Sequence, residues 1–168
     1  AKTCYRLKNH GREKKGIFIH DHIGFNFAFT EMQAAVGISQ MKKLPEVIAK
    51  KKLINSVYLQ ELKDISGFKS LFVDKRCEPV FWFTSFLADN VETLSAYMQQ
   101  KGIQTRRFFY PLHLQPCYQK NYNTSGNFTV SEDIYSRGIS LPSSYHLSEE
   151  EQASVIKTIR DFYNENRH

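Results

Sequence analysis

The stretch His20–Gly37, HDHIGFNFAFTEMQAAVG, carries the signals around which the rest of the chain is organised. Gly24 opens a segment in which aromatic residues alternate with small or polar ones, among them Asn26. Thr30 followed three residues later by Gln33 is a capping box, the signature of a helix start. We therefore expect an extended loop with one polar side chain set between rings, and then a helix. Asn26 needs a hydrogen-bond partner, which is either backbone or a ligand.

Apolar residues recur at helical spacing from Met32 to Ile48. Pro45 would remove a backbone hydrogen bond if it lay inside a helix, so we expect a kink or a break near Leu44. A second helix is then predicted from about Glu46 to Asp64, before a glycine stop. Such a helical pair more often packs than catalyses.

The second half of the chain predicts alternating strands and helices. Pro79–Ala88, PVFWFTSFLA, is apolar on both faces and indicates a central strand. A helix capped by Asn90 and ended by Gly102 leads to a second strand at 103–106, and a later strand is predicted at 139–141. This order implies a small α/β sandwich with helices over one face of the sheet.

The remaining segments predict a long loop and two further helices. Residues 111–130 contain two prolines and a polar run, and we expect a loop that is either mobile or functional. Ser131 is expected to cap a short helix that ends at Gly138. Ser148 with Glu151 is another capping box, and it predicts a final packing helix whose inner side includes Ala153, Val155, Ile156, Ile159, Phe162 and Tyr163.

Composition limits the class of protein. The chain has 168 residues, is 41% hydrophobic and carries a formal net charge of +6. It contains no apolar run of the roughly 18 residues that a membrane span needs. Its three cysteines lie far apart, and an odd number argues against a disulfide framework, so we expect the reducing cytoplasm.

Two basic clusters, Arg12–Lys15 and Lys50–Lys52, raise the possibility of nucleic-acid binding. The plainer interpretation is a solvated loop and a solvated helix face, because acidic residues are interleaved with the basic ones. We therefore expect no nucleic-acid partner and no membrane partner.

The chain resembles a known family at four places. HDHIGFNFAFTEMQAAVG resembles the pattern H-x-x-I-G-x-N-x-R-M-T-E-M-Q-A-A-x-G of the DegT/DnrJ/EryC1/StrS group, the pyridoxal phosphate (PLP)-dependent sugar aminotransferases. RLKNHG at 6–11 resembles its L-R-N-H-G, GIQTRRFFYPLHLQP at 102–116 its G-I-x-T-R-x-F-F-Y-P-L-H-x-Q-P, and GISLPS at 138–143 its G-I-S-L-P-S. The matches cover nearly the whole chain, and the nearest likeness is to nucleotide-sugar 4-aminotransferases of the perosamine-synthase kind.

The resemblance implies an α/β fold, namely the C-terminal small domain of a fold-type-I aminotransferase, with a small, mostly antiparallel sheet. The corresponding domains are residues 1–29 as the end of the large domain with an active-site loop, 30–66 as an interdomain helical arm, and 67–168 as the small domain. The family's cofactor-bearing lysine lies in a G-N-K-x-x-T-x-G-E-G-G-type stretch, upstream of the L-R-N-H-G match. We therefore expect no catalytic residue in this chain, and no activity from the chain alone.

The resemblance also implies a role for Asn26. In the family, the matching Asn reaches across a homodimer interface towards the cofactor phosphate of the neighbouring subunit. An ordinary loop Asn that satisfies its own turn is the alternative. Ala28 and Phe29 stand where the family usually has Arg and Met, so a cationic contact near this position is missing.

Five residues of the 106–113 segment are candidate contacts for a nucleotide-sugar substrate: Arg106, Arg107, Phe109, Tyr110 and His113. A guanidinium suits a carboxylate or phosphate fork, and rings can flank a sugar. Adjacent strand residues point to opposite faces, so at most one of the two arginines enters a given cleft. Surface ion pairs for the arginines and a structural role for His113 are the alternatives.

The histidines give no strong metal signal. His20 and His22 flank Asp21, but the sequence offers no third convergent ligand, and we expect no metal. His10 is expected to be structural.

Three functions from different classes follow. The first is a part of an aminotransferase that transfers an amino group from glutamate to a 4-keto-6-deoxy nucleotide sugar, for polysaccharide synthesis. The second is a non-catalytic sugar-nucleotide-binding or dimerisation module, and the third is a basic nucleic-acid binder.

Overall fold

The computed structural model describes residues 1–12, 19–20, 22–122 and 125–165. The chain divides into two units, Ala1–Pro45 and Glu46–His168. Two expectations lie partly outside the described residues, because they include Asp21 of the His20–His22 run and most of the basic cluster at 12–15.

The first unit begins with helix α1 (Lys2–Lys8). The helix ends at Asn9, and the next two residues adopt positive φ angles, 58° at His10 and 76° at Gly11. The turn at Asn9-His10-Gly11 therefore ends the helix.

Helix α2 (Glu31–Leu62) is continuous over 32 residues and contains Pro45. The predicted break near Leu44 is therefore wrong. A proline removes one backbone hydrogen bond, and the turns on either side of Pro45 keep theirs, so the helix is not ended by it. The capping box at its start is confirmed, because the Thr30 amide donates to Gln33 Oε1 at 2.9 Å and the Gln33 amide donates to Thr30 Oγ1 at 3.2 Å.

The second unit holds a four-stranded sheet of order β1-β2-β4-β3, with every neighbouring pair antiparallel. The strands are β1 (Phe68–Ser70), β2 (Thr84–Ala88), β3 (Arg106–Arg107) and β4 (Gly138–Leu141). The central position of β2 confirms one expectation from the sequence.

The sheet differs from the prediction in the bounds of two strands and in one strand that was not predicted. The strand predicted at 79–88 is confined to Thr84–Ala88, and Trp82, which lies before it, is 67% exposed. The strand predicted at 103–106 is the shorter β3, and β1 was not predicted at all. An apolar run becomes a buried strand only where it forms hydrogen bonds with a neighbouring strand. Because the neighbouring strands are distant in the sequence, the apolar run alone does not give the bounds of the strand.

One face of the sheet forms the core. Register pairs Phe86 with Ile139 and Phe68 with Ala88, which places these side chains on the same face. The core is completed by the inner sides of three helices, α2, α3 (Val91–Gln100) and α6 (Glu149–Glu165), with the buried residues Ile54, Tyr58, Leu62, Leu94, Met98, Val155, Ile156, Ile159 and Phe162. The expected sandwich with helices over one face is confirmed in outline.

Helix α6 begins as predicted. The Ser148 amide donates to Glu151 Oε2 at 2.9 Å, and the Glu151 amide donates to Ser148 Oγ at 3.1 Å. Four of its predicted inward residues are buried, whereas Ala153 is exposed and Gln152 is buried instead. Gln152 is accommodated because its side-chain amide donates to the Ile54 carbonyl at 2.8 Å.

The segment between β3 and β4 is more ordered than expected. It contains a 3₁₀ turn (Leu112–Leu114), helix α4 (Pro116–Gln119) and helix α5 (Thr129–Arg137). Ser131 lies inside α5 and does not cap it, because the helix begins two residues earlier. Asn90 precedes α3 as expected but makes no side-chain cap bond. Within the described ranges, no helix is long and apolar enough to cross a bilayer.

Candidate functional site

The backbone around Asn26 is held by the end of α1. The Phe25 amide donates to the Leu7 carbonyl at 2.6 Å, and the Phe27 amide donates to the Lys8 carbonyl at 2.9 Å. Asn26 itself forms an antiparallel bridge with Asn9. The L-R-N-H-G-like segment at 6–11 and the segment that contains Asn26 are therefore neighbours in the fold.

Two glycines permit this approach. A Cβ atom at Gly24 would lie 2.1 Å from the Gly11 amide nitrogen, and one at Gly11 would lie 1.7 Å from the His22 carbonyl oxygen. Only hydrogen side chains fit here, which explains why glycine stands at both positions.

The Asn26 side chain is exposed, and its amide has no hydrogen-bond partner among the residues that the structure describes. The rings of Phe25 and Phe27 stack on each other at 5.3 Å between centroids. Because alternate residues of an extended segment share a face, these rings lie on the side opposite Asn26 and do not enclose it, contrary to the expectation from the sequence. The result is a fixed backbone that presents an available amide donor.

The two candidate arginines lie on opposite faces of β3, as expected. Register pairs Arg106 with Ser140 and Arg107 with Ile139. Arg107 is taken up by internal contacts: its Nη1 donates to Glu92 Oε1 at 2.5 Å, and its Nη2 donates to the carbonyls of Tyr135 and Ser136 at 3.0 and 2.8 Å. This side chain therefore joins β3 to the start of α3 and the end of α5.

Arg106 is exposed and lies differently. Its guanidinium carbon is 5.4 Å from the centroid of the Phe83 ring, a cation–π contact. Within the described ranges, its N–H groups have no hydrogen-bond partner. Of the two arginines, Arg106 is the one with donors available to a ligand.

The other three candidates of this segment lie along one edge of α5. His113 Nε2 is 2.9 Å from Glu132 Oε1, and the His113 ring stacks on Phe128 at 4.4 Å. Tyr110 makes an edge contact with Tyr135 at 5.3 Å, whereas Phe109 is 73% exposed.

Phe109 also lines an apolar cavity of about 710 Å³ together with Phe108, Phe128 and Tyr135. The structure thus brings Phe109 and the stacking partner of His113 to one pocket. Arg106 lines a different cleft.

Two of the histidines near the N-terminus, His10 and His20, contact each other. His20 Nδ1 is 2.6 Å from the His10 carbonyl oxygen, which ties the two ends of the 11–20 connection together. No group of three His, Cys, Asp or Glu side chains suited to a metal occurs in the part of the chain that is described.

Lys51 was missed by sequence reasoning as an individual residue. Its ammonium donates to the Trp82 carbonyl at 2.7 Å and to the Ser143 carbonyl, which is 92 residues away. Burial lowers the pKa of the Lys51 amine. Lys52 pairs with Glu78 at 2.5 Å, so two members of the basic cluster at 50–52 have partners within the fold. No local signal in the sequence distinguishes Lys51 from its neighbours.

Comparison with known proteins decides the family. The model of the DegT/DnrJ/EryC1/StrS aminotransferase family matches residues 1–160, almost the whole chain. The chain belongs to the DegT/DnrJ/EryC1/StrS aminotransferase family. The resemblance that rested on four motifs is thereby confirmed.

Individual members of the family match over the same length. A GDP-perosamine synthase of Escherichia coli O157:H7 is 31% identical, and the match covers 96% of this chain and 44% of the relative. A GDP-perosamine synthase of Vibrio cholerae is 28% identical, with 96% and 45% covered. The chain thus spans less than half the length of the curated relatives it matches.

Solved structures confirm the fold. The crystal structure of a DegT DnrJ EryC1 StrS aminotransferase from Brucella abortus superposes with a TM-score of 0.84 at 29% identity, covering 96% of this chain and 43% of the other. The small antiparallel sheet with its helices is therefore the family's own arrangement.

Proposed function

We propose that this chain is the C-terminal part of a PLP-dependent nucleotide-sugar aminotransferase. The complete enzyme transfers an amino group from glutamate to a 4-keto-6-deoxy nucleotide sugar of the perosamine type, in the cytoplasm, for polysaccharide synthesis. The observation that carries the proposal is the similarity to two GDP-perosamine synthases over 96% of the chain. The cofactor-bearing lysine belongs, in this proposal, to polypeptide upstream of residue 1.

The described residues fit a PLP phosphate at one position. Asn26 presents an exposed amide from a backbone fixed by α1, and an amide N–H₂ donates well to a phosphate oxygen. PLP, when bound, supplies the electron sink for amino-group transfer. The part of Asn26 is to hold and orient the cofactor phosphate of a neighbouring subunit.

The 106–113 segment contributes the substrate contacts. We assign Arg106 to an anionic group of the substrate, and Phe109, Tyr110 and His113 to a ring-lined rim beside the sugar. Arg107 supports this rim indirectly, since its guanidinium holds the carbonyls of Tyr135 and Ser136 and so positions the end of α5.

A homodimer with shared sites completes the proposal. Large apolar side chains of the first unit are exposed, with Ile23 at 91%, Met32 at 81%, Phe29 at 72% and Val36 at 62%. Large apolar side chains exposed in such number are typical of an interaction site, because monomeric soluble proteins seldom leave large apolar patches open to water. A second subunit is the partner proposed for it.

The test is a longer chain that contains the upstream lysine motif. With PLP, glutamate and a GDP-linked 4-keto-6-deoxy sugar, we expect formation of 2-oxoglutarate and of the amino sugar, detected by mass spectrometry. An Asn26→Ala variant should need more PLP for half-maximal activity, because one phosphate contact is removed. Residues 1–168 alone should give neither product.

Ala28 and Phe29 stand where the family usually has Arg and Met, so a cationic contact near the site is missing. This difference favours a second candidate, a non-catalytic sugar-nucleotide-binding or dimerisation module. A longer chain that binds the nucleotide sugar but produces no 2-oxoglutarate would support that module and exclude the aminotransferase.

A further inference from the structure

A second cleft, of about 530 Å³, lies at the end of the sheet where β4 leaves it. We call it the Trp82 cleft; its walls include Lys51, Trp82, Phe83, Arg106 and Ser143. It draws residues from α2, from the approach to β2, from β3 and from the turn after β4. Its components therefore meet only in the folded chain.

The electrostatic character of the Trp82 cleft is one-sided. Lys51 and Arg106 both line it, and among its described lining residues none is acidic. The described ion pairs of the second unit leave both cations without a carboxylate partner. Two positive charges at a partly enclosed surface attract an anion, and burial strengthens that attraction relative to open solvent.

The two cations have different parts. The Lys51 ammonium donates to the carbonyls of Trp82 and Ser143, with Ser143 Oγ at 3.5 Å. It therefore supplies positive charge to the cleft but has few N–H groups left to donate to a ligand. The Arg106 side chain contacts the Phe83 ring, with 5.4 Å between its guanidinium carbon and the ring centroid, and within the described ranges its N–H groups have no hydrogen-bond partner. A planar fork of this kind matches an anion that has two or more oxygen atoms.

The hydroxyl groups around the cleft are already engaged. Ser143 Oγ accepts from the Thr84 amide at 3.3 Å, and Ser140 Oγ is 2.9 Å from Ser85 Oγ. They hold the cleft in shape, and Arg106 remains the principal donor to a ligand.

We propose that the Trp82 cleft binds a multiply charged oxyanion through the Arg106 fork, in the field of Lys51. Two sources share this chemistry: the diphosphate of a nucleotide sugar and the carboxylates of the glutamate donor. The assignment of either source to the cleft rests on the proposed function, whereas anion binding itself rests only on the geometry of the cleft.

Trp82 makes the test direct, because the chain contains a single tryptophan and it lines this cleft. The 168-residue chain is titrated with inorganic pyrophosphate and, separately, with glutamate, while Trp emission is followed at constant ionic strength. We expect a saturable change with at least one of the two anions. Saturation by pyrophosphate alone indicates the diphosphate, saturation by glutamate alone indicates the carboxylates, and saturation by both indicates a general oxyanion site.

Arg106→Met should raise the midpoint about tenfold or more, because a charge-assisted fork is lost. Arg76→Met is the matched control: Arg76 is exposed and pairs with Asp74 at 2.8 Å outside the cleft, so its midpoint should stay within about twofold of the parent.

Three outcomes overturn the proposal: no saturable change with either anion, an equal change with potassium chloride, or an unaltered midpoint in Arg106→Met. Since the titration needs no upstream lysine, anion binding without amino transfer in the longer chain would refute the aminotransferase and leave the cleft intact. Amino transfer by the longer chain, together with no anion binding in this titration, would support the aminotransferase and refute the anion site in the Trp82 cleft.

Discussion

Adjacent arginines of one short strand have opposite environments. Arg107 is partly buried and bonded to Glu92 and to two carbonyls of α5, whereas Arg106 is exposed and, among the described residues, contacts the Phe83 ring without a hydrogen bond. The sequence predicts that the two side chains diverge, because strand residues alternate. It does not predict which of them is used internally, since that depends on where α5 ends.

The first prediction separates these two roles. Arg107→Met should lower the free energy of unfolding by about 1–3 kcal/mol, because the carbonyls of Tyr135 and Ser136 lose a charged donor. Arg106→Met is the control and should change it by less than about 0.5 kcal/mol, as an exposed residue with one ring contact. Urea unfolding of the two variants and the parent measures both values. Equal destabilisation would contradict the structural role assigned to Arg107.

At the scale of elements, caps and breakers behave differently. The capping boxes at Thr30 and Ser148 operate as their sequences predict, since the partners are three residues apart and need no tertiary contact. Pro45 does not end α2, because the helix continues to Leu62 and its second half is held by the core. Tertiary packing thus outweighs a local cost of about 3 kcal/mol.

The second prediction follows from that cost. Pro45→Ala should raise the free energy of unfolding by about 1–3 kcal/mol, because alanine restores a helical N–H at a position where proline is strongly disfavoured. Lys43→Ala, at an exposed position of the same helix, should leave it within about 0.5 kcal/mol. Thermal unfolding followed by circular dichroism at 222 nm, the usual wavelength for helices, provides the comparison. A destabilised Pro45→Ala protein would show that the fixed φ of proline is required there.

At the scale of the whole molecule, the two units differ in how they use apolar residues. Among the described residues, those of the second unit form a buried core of sixteen residues, whereas those of the first unit are largely exposed, among them Met32, Val36 and Met41. A helix with apolar side chains exposed on several sides is normally covered by other protein. This contrast supports the homodimer that we propose.

The third prediction tests that partner. The parent chain should elute at about twice 19.6 kDa by light scattering at high concentration, and Val36→Glu should elute as a monomer because a charge would be buried. Lys42→Glu is the control, since it changes charge at a position that is already polar and exposed, and it should keep the mass of the parent. A monomeric parent at every concentration would remove the support for a homodimer of this chain.

The sequence by itself determined the family, the capping boxes and the helices α3 and α6, because these depend on motifs or on neighbours a few residues apart. It also indicated the central place of β2, because a strand that is apolar on both faces is typical of the interior of a sheet. Only the tertiary structure decided that Trp82 is exposed, that α2 passes through Pro45, and that Lys51 meets Ser143 across 92 positions. It also decided that Arg106 has donors available while Arg107 is engaged. The physical reason is that side-chain environments are set by strand register and helix packing, which join residues far apart in the chain and leave no mark on the local pattern.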